Sequence, residues 1–138
     1  MSHPVLLDTC AAIWLMGGAE MSGASRAALR STVGANTGVY VSPFTAWEIG
    51  TLVAKQRVRL TLSPELWFEA LLAQPGVRLA PLTPAILLAS TALPENPPSD
   101  PADRIIAATA RALDLVVITR DRSMLDYAHQ GHLRAVAC

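Results

Sequence analysis

The aliphatic run Pro4-Val5-Leu6-Leu7 stops on an aspartate, Asp8, and this junction restricts the fold of the chain more than any other feature. A short apolar run without polar alternation is the pattern of a strand covered on both faces. An acid at its end falls on the edge where open α/β sheets bind ligands. The pattern recurs near the other terminus, where Leu115-Val116-Val117-Ile118-Thr119 is followed two residues later by Asp121. Two more acids interrupt apolar sequence: Glu48 within Phe44-Thr45-Ala46-Trp47-Glu48-Ile49, and Asp103 at the start of the helical run Ile105-Ile106-Ala107-Ala108. Burying an acid costs several kcal/mol unless something positive meets it.

Buried-strand runs are expected at Pro4–Leu7, Val39–Val41, Val77–Ala80, Leu115–Thr119 and Arg134–Ala137, separated by helical stretches. Alternation of this kind predicts a parallel sheet with helices on both faces. The helices announce their own starts. Ser42-Pro43, Ser63-Pro64-Glu65 and Thr83-Pro84 each place a capping hydroxyl before a proline at the first helical position. The stretch Leu93-Pro94-Glu95-Asn96-Pro97-Pro98-Ser99-Asp100-Pro101 has too many breakers for regular structure and predicts a stiff loop that delivers Asp103 to a fixed place. Gly17, Gly18 and Gly23 mark a connection after the first helix, and Ser25 to Thr32 reads as an amphipathic helix.

The 138 residues, 51% of them hydrophobic, suffice for one domain spanning 1–138 with a single core. A formal net charge of zero excludes the diffuse basic field of a bulk nucleic-acid binder, so any polyanion must be held locally. Cys10 and Cys138 are too few and too scattered for a disulfide framework or a zinc cluster. A reducing compartment fits them. The N-terminus carries no cationic leader, and no apolar stretch reaches the roughly 18 residues of a membrane span. A cytoplasmic protein with no membrane partner is expected.

Taken singly, Asp100, Asp103 and Asp121 have ordinary explanations as helix caps or first-turn acids. Asp8 and Glu48 do not, because a strand-end aspartate among aliphatics and a mid-helix glutamate beside Trp47 and Ile49 need a partner. Carboxylates brought together repel and raise one another's pKa unless cations neutralise them. An all-oxygen set without His or Cys selects hard ions, Mg²⁺ or Mn²⁺, which bind phosphate directly. Phosphoryl transfer is the chemistry this implies, with two ions about 3.5–4 Å apart serving nucleophile and leaving group.

At these residues the chain resembles the PIN-domain nucleases, most closely the toxin component of VapBC toxin–antitoxin pairs. The matching pieces are Leu6-Leu7-Asp8-Thr9, Ser42-Pro43-Phe44-Thr45-Ala46-Trp47-Glu48-Ile49, Asp100-Pro101-Ala102-Asp103-Arg104-Ile105-Ile106-Ala107-Ala108-Thr109-Ala110 and Thr119-Arg120-Asp121, in family order. The resemblance implies a three-layer α/β/α single domain with a central, mostly parallel sheet of about five strands. It further implies an endoribonuclease that cleaves RNA by metal-activated water, leaving a 5′-phosphate and a 3′-hydroxyl. Carried onto this chain, Asp8, Glu48, Asp103 and Asp121 are the catalytic, Mg²⁺- or Mn²⁺-binding acids, with Asp8 and Asp103 as principal ligands. Thr9 and Thr119 are supporting hydroxyls that orient carboxylates or water. A VapB-type antitoxin covering the acidic pocket and a homodimer are the implied partners. Cys10 departs from the small or polar residue usual after the strand-end Asp-Thr.

Arg104, Arg120 and Arg122 flank two of the acids and are candidates for RNA phosphate contacts or for pairing with carboxylates. Asp100 is assigned to helix capping. Trp14, Trp47 and Trp67 are expected in core or dimer packing, and His3, His129 and His132 on the surface. Alternative readings are a catalytically silent PIN-like binding subunit, a receiver-like Mg²⁺ module and a dehalogenase-type phosphatase. The receiver needs a late-strand lysine, but the only lysine is Lys55, and the phosphatase needs an acid where Cys10 stands.

Overall fold

The computed structural model describes residues 3–17 and 38–138. The predicted Ser25–Thr32 helix and the glycines at 18 and 23 lie outside the described residues. Five strands, β1 (Val5–Leu7), β2 (Val39–Val41), β3 (Val77–Leu79), β4 (Val116–Thr119) and β5 (Arg134–Ala137), form one sheet in the order β3-β2-β1-β4-β5. All four pairings are parallel, with Val5 opposite Val39 on one side and Val116 on the other.

Six helices are described: α1 (Thr9–Gly17), α2 (Pro43–Ala54), α3 (Pro64–Leu72), α4 (Pro84–Ser90), α5 (Pro101–Leu113) and α6 (Arg122–His129). Ser42, Ser63 and Thr83 accept the Phe44, Leu66 and Ile86 amides at the helix starts, as the Ser/Thr-Pro signals predict. Asp114 takes a left-handed φ of 57° to end α5, so that the Leu115 amide reaches back to the Ala110 carbonyl and the chain enters β4 at once.

Strand residues alternate between two cores, which makes the three layers. Val5, Leu7, Val39, Val41 and Ile118 pack on one side with Ala11, Ala12, Ile49, Trp67 and Leu71 of α1, α2 and α3. Leu6 and Val117 face the other side against Ile106, Ala107 and Ala110 of α5 and Met124 of α6. Two expectations need correcting here. The runs at Val77 and Arg134 are edge strands with largely exposed side chains rather than buried ones, because each has a neighbour on one side only. Trp67 joins the core, but Trp47 is 62% exposed with its ring stacked on Phe44, because α2 turns that face outward, so of the two settings expected for it the core is excluded.

β1 sits at the centre, and the chain builds outward from it to β2 and β3 on one side and to β4 and β5 on the other. The crevice between β1 and β4 is therefore where the strand order reverses. In open α/β sheets the carboxyl ends of such strands are the ligand edge.

Candidate metal centre at the carboxyl edge

Asp8 leaves β1 at that crevice, only 7% exposed. Both of its oxygens are held: Oδ1 accepts the Ala11 amide at 2.8 Å, which starts α1, and Oδ2 accepts the Thr119 hydroxyl at 2.5 Å. The Thr119 oxygen in turn accepts the Asp121 amide at 3.0 Å, so one buried threonine at the end of β4 ties both strand-end acids together. The Asp121 carboxylate caps α6, accepting the Met124 amide at 3.0 Å and the Ser123 hydroxyl. Thr9, the first residue of α1, donates to Glu48 Oε1 at 2.5 Å across from α2. Asp100 caps α5 through the Ala102 amide at 2.8 Å.

These acids meet in a cavity of about 260 Å³ lined by Asp8, Thr9, Cys10, Glu48, Asp100, Asp103, Ile106, Arg120 and Asp121. Four chain segments that are distant in sequence thus contribute carboxylates to one recess. Asp100 belongs to it as well as capping its helix, so cap and pocket are not alternatives. Its spacing from Asp103 was the available signal, since residues three apart share a helix face.

Desolvation is the largest influence on each of the innermost acids, and it raises all three. Asp8 is raised by burial, with hydrogen bonds from Thr119 and Ala11 opposing and the charge of Asp121 adding to the rise. Burial likewise raises Glu48, against the Thr9 hydrogen bond and with the charges of Asp100 and Asp8. Asp103 goes to about 7, through burial and then repulsion from Asp121, Asp100, Asp8 and Glu48. Among the described residues no hydrogen bond to Asp103 opposes the rise. That is the condition under which a bound cation gains the most, because it relieves several repulsions at once.

The donor chemistry fits a hard divalent ion, with carboxylate and hydroxyl oxygens and no imidazole. Among the described residues, however, no three His, Cys, Asp or Glu side chains already close on a common point as a ligand set. Mutual repulsion accounts for this openness. So do the commitments of Asp8, Glu48, Asp100 and Asp121 to local donors, and Asp103 is the acid with no such commitment.

The three flanking arginines are placed differently. Arg120 lines the cavity. Arg104 is half-buried with its Nε donating to the Pro98 carbonyl at 2.8 Å, and Arg122 is exposed; neither lines the recess. Among the histidines, His132 is tucked in rather than on the surface, with its side chain 15% exposed, against the Tyr127 ring and 3.4 Å from Glu95. The turn at Gly131, with φ +88°, folds it back over α6.

The PIN-domain family model matches residues 5–130. The chain belongs to the PIN-domain family. This PIN chain is 32% identical to Ribonuclease VapC22 of Mycobacterium tuberculosis (strain ATCC 25618 / H37Rv) over 125 residues, covering 91% of this chain and 92% of the relative. Its fold is similar to the crystal structure of VapBC2 from Rickettsia felis bound to a DNA fragment from their promoter, with a TM-score of 0.68, 12% identity and coverage of 97% and 98% of the two chains. DNA-bound VapBC from Salmonella typhimurium gives a TM-score of 0.55, with 20% identity and 99% and 98% coverage.

Proposed function

We propose that this PIN protein is an Mg²⁺- or Mn²⁺-dependent endoribonuclease, the toxin of a VapBC-type toxin–antitoxin pair. The observation that carries the reading is the convergence of Asp8, Glu48, Asp103 and Asp121 on one recess, where burial raises Asp8, Glu48 and Asp103. The kinship with a VapC ribonuclease supports it.

In this reading Asp8 and Asp103 are the principal ligands, with Glu48 and Asp121 completing the acidic set. The bound ion supplies Lewis acidity for water and for the leaving oxygen of the phosphodiester. Thr119 holds Asp8 Oδ2, and Thr9 holds Glu48 Oε1, so the hydroxyls fix which carboxylate lone pairs remain free for the ion. Ile106 and the buried strand ends shield the inner wall, which strengthens every charge interaction inside. Cleavage leaves a 5′-phosphate and a 3′-hydroxyl.

A VapB-type antitoxin is the proposed partner. The exposed Trp47, stacked on the half-buried Phe44 beside Glu48 on α2, and the exposed Leu66 on α3 offer the kind of anchor a protein partner covers. A homodimer agrees with the exposure of Leu87 and Leu88 on α4. No helix among the described residues is long and apolar enough to cross a membrane. The deciding experiment incubates antitoxin-free protein with RNA in Mg²⁺ or Mn²⁺ and in EDTA, and maps the ends produced. Metal-dependent internal cuts with 5′-phosphates are expected. Equal cutting in EDTA, or none with either metal, rejects the reading.

A further inference from the structure

One wall of the acidic cavity has the opposite sign. Arg120, between Thr119 and Asp121, lines the recess and is exposed to solvent. Its guanidinium carbon lies 3.3 Å from the centre of the Trp14 ring, and its Nε donates to the Cys138 carbonyl at 3.3 Å. A flat indole on one face and a backbone oxygen at one edge remove much of the rotamer freedom of a side chain that is normally mobile.

These two contacts occupy one face and one of five N–H donors. Among the described residues Arg120 forms no ion pair with Asp8, Glu48 or Asp103. The arginine therefore stands at the rim of an acid cluster without being paired to it. Neither of the other arginines near the acids offers this, since Arg104 is committed to Pro98 and neither it nor Arg122 lines the cavity. A preoriented planar fork with free donors is suited to a phosphate, which accepts two parallel N–H bonds.

Resting on the nuclease reading, we infer that Arg120 binds the RNA phosphate at the mouth of the acidic cavity, and that Trp14 is the positioning residue that holds its guanidinium there. RNA approaching a cluster of carboxylates meets repulsion, and a fixed cation at the rim offsets it for the nucleotide next to the cut. The test is binding of a fluorescently labelled single-stranded oligoribonucleotide in Mg²⁺, read by anisotropy across a salt series. The protein carries Asp103→Asn so that the RNA stays intact. Arg120→Ala should weaken binding about tenfold and reduce the slope of log affinity against log salt by about 0.7, the value for one phosphate contact on a single strand. Arg120→Lys should restore the slope while recovering only part of the affinity. Trp14→Phe should stay near the parent, and Trp14→Leu should lose affinity with its slope kept. In protein that retains Asp103, Arg120→Ala should raise KM with kcat nearly held. Unchanged affinity and slope in Arg120→Ala, whether or not its melting temperature falls, overturns the inference while the nuclease reading stands. A parent protein that cleaves no RNA in either metal overturns the nuclease reading, and this inference with it.

Discussion

At the carboxyl ends of β1 and β4, Asp8, Glu48 and Asp103 are buried or half-buried and raised in pKa, and among the described residues none of them is in an ion pair. At the amino ends of the same layer the charges are matched: Arg134 pairs with Asp114 and contacts His3, Arg111 donates to the His132 carbonyl, and His132 faces Glu95. The Arg134–Asp114 ion pair and the His132–Glu95 contact, which is ionic only with a protonated imidazole, both lie at the amino end. In the proposed nuclease reading, the unmatched acids at the carboxyl end are the set that a divalent ion would meet. The amino end contributes stability. The carboxyl end sacrifices some.

The contrast is broken most directly at Asp103. Asp103→Asn should lower metal-dependent RNA cleavage roughly a thousandfold, the effect of several kcal/mol of lost charge stabilisation in the transition state. Its metal-free melting temperature should equal or exceed the parent's, since the substitution removes repulsion rather than packing. Cleavage at the parental rate removes Asp103 from the metal set, and a large loss of metal-free stability makes it a structural acid like those at the amino end.

Thr119→Val comes next. Losing the hydroxyl that orients Asp8 and receives the Asp121 amide should weaken Mn²⁺ affinity by about 10- to 100-fold, measured by calorimetry. Parental affinity shows that Asp8 is oriented without it.

The pH dependence of metal-free stability sharpens the comparison further. Asp103 titrates at about 7 in the fold against 3.8 for the free side chain, so between those values the folded state binds the extra proton. Stability from this group is therefore present at low pH and lost as pH rises through the folded pKa. The melting temperature without metal should fall between about pH 4 and pH 7, and saturating Mg²⁺ should reverse the fall. A rise over that window contradicts the assignment, and Asp103→Asn should flatten the curve.

The smallest effect belongs to the matched end. Asp114→Asn removes the charge of an exposed pair with Arg134 while keeping a side chain that tolerates the left-handed backbone, and should lower stability by no more than about 1 kcal/mol. RNA cleavage should be unchanged.

Strand and helix positions were readable from local chemistry. The Ser/Thr-Pro signals set three helix starts, Asp100 and Asp121 capped where their spacing before helical runs predicted, and β2 and β5 occupy the expected residues. These are short-range effects, carried by side chains that bond amides two or three residues away. Exposure was read less well. Trp47 was expected in core or dimer packing and is not in the core, because the sheet covers another face of α2, and His132 was expected on the surface but the turn at Gly131 folds it against Tyr127.

The residue order by itself determined that four acids would end or interrupt apolar segments, and hence that a parallel α/β sheet would carry them toward its ligand edge. Only the tertiary structure decided which groups meet there. It brought Asp100 into the recess, separated Arg120 from Arg104 and Arg122, and seated Arg120 on Trp14 beside the Cys138 carbonyl. Caps and strand ends follow from bonds within a few residues, whereas convergence across more than a hundred residues depends on how the strands are ordered in the sheet. Placing β1 beside β4 is what brings Asp8 and Thr119 within a hydrogen bond.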